Sequence, residues 1–123
     1  MGSKKKNRKK IHREVIKKQY GINRFINSIT NSLAGLKYAY THEQSLLIHI
    51  ILSVIVVFAG VYFKITGTQW VLVLFAAAII IVAELLNTAI EATVDLVTEE
   101  YHSLAKVAKD CASAAVFFIS IVA

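Results

Sequence analysis

Four polar side chains recur along one apolar segment in the second half of the chain. Glu84, Asn87, Glu91 and Asp95 stand at offsets of three, seven and eleven residues from the first. At about 100° per residue of α-helix, the carboxylates of Glu91 and Asp95 each fall within about 20° of Glu84 around the helix axis, and the Asn87 amide lies about 60° away. The spacing therefore predicts a polar stripe on one helix face. Isolated carboxylates in a bilayer cost on the order of 3 kcal/mol each, so this row indicates a function.

A further carboxylate, Glu43, stands directly before an earlier apolar run. If both runs cross a membrane, Glu43 and Glu91 lie at the same height near the cytoplasmic surface, with Glu84 about two turns deeper. Two carboxylates at one height suit a Mg²⁺ ion that also binds phosphate oxygens. A deeper carboxylate could meet a hydroxyl group from a lipid. Such an arrangement suits phosphoryl transfer, where positioning and charge neutralisation do most of the work.

Two other uses of an acidic stripe stay open. It is also typical of an aqueous pore or proton path and of polar pairing between helices in an oligomer. The five glycines form neither a GxxxxGK[ST] phosphate loop nor a GxGxxG motif, so no nucleotide motif favours a kinase. His49, inside the first apolar run, is expected to bond a neighbouring helix rather than bind a metal.

The segments that carry these residues are predicted to be helices. Residues 23–40 predict an amphipathic helix lying flat in the membrane interface, with apolar residues at helical spacing from Phe25 to Leu36. Residues 46–63 predict a first membrane span of about 27 Å. A second apolar run begins at Trp70, and its helical periodicity continues to about Val97.

Residues 98–110 are polar and predict a cytoplasmic loop. Its Lys106, Lys109 and Asp110 could reach ATP phosphates or a metal, or could be topology charges alone. Glu100 and His102 read as solvated loop residues, while Arg24 could contact a phosphate. The third apolar run, residues 112–123, gives about 18 Å of helix, so we expect a third span that is cut short.

The charge of the chain is unevenly distributed. Ten of the fourteen Lys and Arg residues lie in residues 1–24, and six of the eight acidic residues lie in residues 84–110. The positive-inside rule then places the N-terminus and residues 98–110 in the cytoplasm and residues 64–69 outside. Residues 1–22 are expected to form a basic cytoplasmic tail drawn to the anionic inner leaflet by charge alone.

Composition excludes several classes of protein. At 56% hydrophobic residues, the 123-residue chain is too apolar for an ordinary small soluble domain. Its single cysteine, Cys111, excludes an intrachain disulfide and a cysteine metal cluster. We expect one membrane domain at residues 23–123 and no nucleic-acid partner.

Residues 84–110, ELLNTAIEATVDLVTEEYHSLAKVAKD, closely resemble the signature of the prokaryotic diacylglycerol kinase family. The pattern E-x-x-N-x-A-I-E-x-x-x-D, followed by a stretch ending in A-K-D, is long and specific. The upstream segment RFINSITNSLAGLKYAYTHEQS extends the resemblance to about residues 21–123. Within the family, the variant ELLNTAIE…TVDL…LAKVAKD looks most like the undecaprenol kinase branch.

The resemblance implies an all-α integral membrane protein. Each protomer would have an N-terminal amphipathic surface helix and three transmembrane helices, in a homotrimer with active sites between protomers at the cytoplasmic side of the inner membrane. The implied activity is ATP-dependent phosphorylation of undecaprenol, with Mg²⁺ as cofactor. Diacylglycerol is the alternative substrate, and a small membrane transport or interaction subunit is the alternative of a different class.

The resemblance also implies roles for single residues. Glu84 would be the general base that takes the proton of the lipid hydroxyl, supported by Asn87 and Asp95. Glu43 and Glu91 would carry Mg²⁺ beside ATP. The other residues around ATP would be Arg24, Glu100, His102, Lys109 and Asp110. Ser32 and the neighbourhood of Gly35 would face lipid, and Asn31 stands where relatives of the other branch have an aromatic residue.

Overall fold

The computed structural model describes residues 21–98 and 100–123, and the predicted basic tail lies outside them except for its last two residues. Four α-helices follow one another in these ranges: α1 (Ile22–His42), α2 (Gln44–Tyr62), α3 (Gly67–Val97) and α4 (Ser103–Val122). The described chain divides into two units, with the boundary between Lys37 and Tyr38. The carboxylates that the sequence singled out all belong to the second unit.

Helix α1 confirms the helix predicted at residues 23–40. It follows Gly21, whose φ of 88° is readily adopted only by a residue without a side chain. The predicted apolar stripe, from Phe25 to Leu36, is exposed in the single chain. An uncovered stripe of this kind suits a helix that lies in a membrane interface, which stays a prediction.

Helices α2 and α3 are the two helices in the described residues that are long and apolar enough to cross a membrane. Their lengths of about 28 and 46 Å bracket a hydrocarbon core of about 30 Å. Most of their large apolar side chains are exposed, as Phe58 and Leu72 illustrate. Exposed apolar faces on both helices are what lipid or another protein chain would cover.

A tight turn joins α2 to α3. Lys64 adopts a positive φ of 52° in this turn. Thr66 then caps α3 in a capping box, in which the Gln69 side chain accepts a 2.8 Å hydrogen bond from the Thr66 backbone N–H. A methyl group on Gly60 would lie only 3.0 Å from the ring of Trp70, so glycine permits the two helices to approach here.

The prediction of a loop over residues 98–110 is wrong, because α4 begins at Ser103. His102 caps the helix, with its Nδ1 accepting a 3.2 Å hydrogen bond from the Leu104 N–H. The ion pair between Lys106 and Asp110, one turn apart, supports the same helix. Lys106, Lys109 and Asp110 are therefore held on a helix, and α4 is longer than the apolar run beginning at residue 112.

Helix α3 packs against both α2 and α4. Its buried side chains are Glu84, Asn87 and Thr88, all polar, while Leu46 and Val116 bury apolar surface from the two neighbouring helices. The centre of the second unit is therefore polar along α3, and hydrogen bonds must satisfy that centre.

Candidate functional site

Glu84 has no exposed surface. Ser45 donates a 2.9 Å hydrogen bond to its Oε2, and His49 Nδ1 lies 2.7 Å from its Oε1. Ser45 and His49 are four residues apart on α2, so one face of that helix supplies both partners. A buried carboxylate is costly unless it is hydrogen-bonded, and here each oxygen has a partner.

His49 connects three helices. While its Nδ1 contacts Glu84 on α3, its Nε2 lies 3.0 Å from Ser120 Oγ on α4. Ser120 is also 2.7 Å from the Val116 carbonyl oxygen. The prediction that His49 bonds a neighbouring helix is confirmed.

Asn87 and Glu91 form the next level of the stripe. Asn87 Nδ2 donates a 3.0 Å hydrogen bond to Glu91 Oε1. The opposite atom of the amide, Asn87 Oδ1, is buried and has no hydrogen-bond partner in the part of the chain that the structure describes. Since buried carbonyl oxygens are nearly always satisfied, this atom marks a place for a donor or a cation that the described residues do not supply.

Glu43 lies half-buried at the N-cap of α2, where its side chain makes no capping hydrogen bond. Loss of hydration raises the pKa of Glu43 above its ordinary value of 4.5, and the negative charges of Glu91 and Glu84 raise it further. The positive charge of His42 acts in the opposite direction with a smaller effect. The fold thus brings Glu43 into the field of both carboxylates on α3.

The carboxylates do not complete a metal site by themselves. Within residues 21–98 and 100–123, no group of three or more His, Cys, Asp or Glu side chains is arranged to hold a metal ion. A Mg²⁺ ion at Glu43 and Glu91 would therefore need further oxygens, from phosphate, water or an amide such as that of Asn87.

A cleft of about 410 Å³ lies where α3 ends and α4 begins. Lys109 on α4 connects these helices by donating a 2.5 Å hydrogen bond from Nζ to Asp95 Oδ1 on α3. The cleft is lined by the charged or polar residues Asp95, Thr98, Glu100, Tyr101, His102, Lys106, Lys109 and Asp110. It therefore contains carboxylates, ammonium groups and an imidazole within one concave surface.

The structure brings most of the predicted site residues into two neighbouring groups on α3. Glu84 and Asn87 occupy the buried part of the stripe, Glu91 follows them half-buried, and Glu43 at the start of α2 interacts electrostatically with Glu84 and Glu91. Asp95 joins four of the predicted ATP residues in the cleft: Glu100, His102, Lys109 and Asp110. Arg24 lies in the first unit, and its predicted contact with ATP stays a prediction.

Three residues around these sites were not predicted from the sequence. Ser45 and Ser120 complete the hydrogen bonds around Glu84 and His49, and Tyr101 lines the cleft. The four-residue spacing of Ser45 and His49 was a usable signal, since it places two polar side chains on one helix face. Ser120 is one small polar residue in an apolar run, which carries no such signal.

Comparison with known proteins gives matches over most of the chain. A model of the family described as prokaryotic diacylglycerol kinase matches residues 30–123. The undecaprenol kinase of Bacillus subtilis is 33% identical over 101 residues, covering 82% of either chain. The diacylglycerol kinase of Pseudomonas aeruginosa is 37% identical over 101 residues, again covering 82% of either chain.

A third relative is longer. The diacylglycerol kinase of Synechocystis is 37% identical over 91 residues, which are 73% of this chain and 52% of that relative. The present chain thus spans about half the length of that protein. Relatives named for either lipid substrate have similar identities, so identity does not choose between the two names.

The raised pKa of Glu43 predicts a pH dependence of stability. A carboxyl whose pKa is higher in the folded than in the unfolded chain stabilises the fold below pH 4.5, and this contribution is lost as the pH rises through the folded-state pKa. We expect Glu43→Gln to raise the unfolding temperature at pH 7 by roughly a few °C, with the gain shrinking towards pH 4.5. Circular dichroism in detergent with a metal chelator measures this, with exposed Glu100→Gln as the control. Equal unfolding temperatures for Glu43→Gln and the wild type at pH 7 would contradict it.

Proposed function

Since the chain belongs to the prokaryotic diacylglycerol kinase family and is a lipid kinase of that type, we propose that it transfers the γ-phosphoryl group of ATP to the hydroxyl group of undecaprenol. This proposal rests mainly on the electrostatic interaction of Glu43 with Glu84 and Glu91, next along α3 to a cleft lined by charged side chains. The choice of undecaprenol rests on the likeness of residues 84–110 to that branch of the family.

Glu84 is the proposed general base. Its two oxygens each accept one hydrogen bond, from Ser45 and from His49, and each carboxylate oxygen has a second lone pair available. In the reaction, Glu84 takes the proton of the lipid hydroxyl while that oxygen forms a bond to the γ-phosphorus of ATP. The bond from the γ-phosphorus to the bridging oxygen breaks, and ADP leaves with that oxygen.

Glu43 and Glu91 are the proposed ligands of Mg²⁺. Both offer hard oxygen donors. Burial raises the pKa of Glu43 most and the negative charge of Glu91 raises it further, and a bound cation would offset both effects. Asn87 holds the Glu91 carboxylate in place through its 3.0 Å hydrogen bond. When bound, Mg²⁺ would neutralise negative charge on the phosphate oxygens of ATP.

The cleft between α3 and α4 is the proposed site for the ATP phosphates. Lys109 and Lys106 both pair with carboxylates in the cleft, with Asp95 and Asp110 respectively. Both ammonium groups have the charge that phosphate oxygens attract. Glu100 and His102 line the same cleft and are proposed to contact ATP there. Arg24 is proposed as a further contact of ATP.

The proposed assembly follows the family resemblance. Helix α4 would provide the third span, and three protomers would form a homotrimer in the inner membrane with active sites between them. The exposed apolar faces of α2 and α3 in the single chain support burial against lipid or other protomers. The excess of Lys and Arg in residues 1–24 supports a cytoplasmic N-terminus, with residues 1–22 as a tail and residues 23–123 as the kinase domain.

Diacylglycerol is the second candidate substrate, because relatives at 37% identity are named for it. The decisive assay offers undecaprenol and diacylglycerol separately to the purified protein with Mg-ATP and follows ADP release. We expect turnover with undecaprenol at least about tenfold above that with diacylglycerol, a difference of about 1.4 kcal/mol. Preference for diacylglycerol would overturn the substrate assignment, and ADP release with neither lipid would overturn the kinase. Ion flux into liposomes in place of ADP release would support a transport subunit.

Replacement of the proposed base tests the chemical step. We expect Glu84→Gln to lower kcat by at least about 100-fold, because a neutral amide cannot accept the hydroxyl proton. Binding of Mg-ATP, measured by calorimetry, should change less than about twofold, since the cleft residues are untouched. Full turnover by Glu84→Gln would make Glu84 a structural residue.

Replacement of a cleft cation tests the nucleotide site. We expect Lys109→Met to raise the KM for ATP by roughly tenfold or more, the usual size of a lost hydrogen bond to a charged group. Lys64→Met removes the same charge from the turn between α2 and α3 and serves as the matched control. Equal KM values for the two variants would remove Lys109 from the ATP site.

A further inference from the structure

We propose that His49, anchored by Ser120, is a positioning residue that orients Glu84 towards the lipid hydroxyl. The inference rests on the proposed function, since it requires Glu84 to act as the base. It adds two residues from α2 and α4 to the groups on which the reaction depends.

The geometry joins the three helices at one point. The imidazole of His49 lies between Glu84 Oε1, 2.7 Å from Nδ1, and Ser120 Oγ, 3.0 Å from Nε2. Its side chain is only 19% exposed, and that of Glu84 is 1% exposed. Because both ring nitrogens make hydrogen-bond contacts and the site is largely buried, the ring has a fixed orientation, and so does the carboxylate oxygen that it contacts.

The proton positions follow from the chemistry of the partners. An ionised carboxylate can only accept, so His49 Nδ1 must donate to Glu84. Ser120 has one hydroxyl proton and two acceptors within reach, the Val116 carbonyl oxygen at 2.7 Å and His49 Nε2 at 3.0 Å. Whichever of the two Ser120 bonds, Nδ1 of His49 stays available to donate to Glu84.

The bond has a consequence that packing alone would not produce. A carboxylate held by donors from two different residues has both oxygens directed, whereas one held by a single donor can turn about that hydrogen bond. His49 therefore fixes the direction of Glu84 Oε1. Ser45 donates a hydrogen bond to the other oxygen, Oε2, and keeps it in place. Loss of His49 should therefore misorient the base without removing it.

Two substitutions separate orientation from packing. His49→Asn keeps a side-chain N–H near the position of Nδ1, whereas His49→Leu keeps bulk and removes the donor. We expect His49→Leu to lower kcat by roughly 10- to 100-fold, the usual effect of losing a group that orients a reacting side chain. His49→Asn should recover most of that loss, and the KM for Mg-ATP should change less than about twofold in both. Equal loss in the two variants, or a changed KM with an unchanged kcat, would overturn the proposal.

The pathway of the effect is tested in a Glu84→Gln background. If His49 acts through Glu84, then His49→Leu should leave the residual turnover of Glu84→Gln unchanged, because the base that it orients is already absent. A further 10- to 100-fold loss in the double variant would show that His49 acts elsewhere and would overturn the proposal.

A spectroscopic measurement distinguishes this proposal from the proposed function. With ¹⁵N-labelled histidine in detergent, the Nδ1 proton of His49 should give a hydrogen-bonded NMR signal that Glu84→Gln weakens, with the signal assigned by its absence in His49→Asn. An active kinase without this signal would overturn the positioning role alone. The signal in a protein that phosphorylates neither lipid would make the pair structural, and both proposals would fail.

Discussion

The carboxylate of Glu84 is the constraint on which the second unit depends. A carboxylate with no contact with water must find its donors within the protein, and a membrane span offers few. Ser45 and His49 on α2 meet that need directly, and Ser120 on α4 supports the imidazole. Hydrogen bonds to this one buried side chain therefore connect α3 to α2, and through His49 to α4. Because removal of one partner would leave the others unsatisfied, these side chains form a single unit.

The stripe on α3 changes its surroundings as it approaches the cleft. Glu84 is fully buried against an imidazole, Glu91 is partly exposed and bonded to an amide, and the Asp95 side chain is 62% exposed and paired with Lys109. A single helix face thus carries carboxylates from a dry environment to a wet one. A lipid hydroxyl and a water-soluble nucleotide require these two environments, and the stripe provides both within about three turns of helix.

Periodicity in the sequence was enough to predict the stripe. Since the helical repeat is fixed, offsets of seven and eleven residues from Glu84 must return to the same face, and α3 bears this out. The start of α4 was not predicted, because the polarity of residues 98–110 is shared by a loop and by the polar first turns of a helix. His102 and the Lys106–Asp110 pair instead favour a helix whose first turns are polar. The partners of Glu84 depend on tertiary packing, and Ser120 lies 71 residues from His49, where a local pattern carries no information.

Sequence also predicted that Glu43 and Glu91 would meet, because antiparallel spans bring the end of one helix to the start of the other. The repulsion felt by Glu43 is consistent with that placement. The cleft was harder to foresee, since its shape depends on the angle at which α4 leaves the short connection after Thr98. Its residue types were nevertheless visible in the sequence as a cluster of opposite charges.

Helix α3 is uninterrupted over 31 residues, about 46 Å, and therefore exceeds a bilayer core of about 30 Å. It starts at a capped turn that holds Trp70, a residue suited to the headgroup level. In the proposed orientation, with Trp70 at one membrane surface, the thickness of the bilayer would set the depth of each carboxylate along α3. A thicker bilayer would place Glu91 nearer the acyl chains, and a thinner one would bring Glu84 nearer to water. Lipid composition would then act on these carboxylates through hydrophobic mismatch, without any ligand touching them.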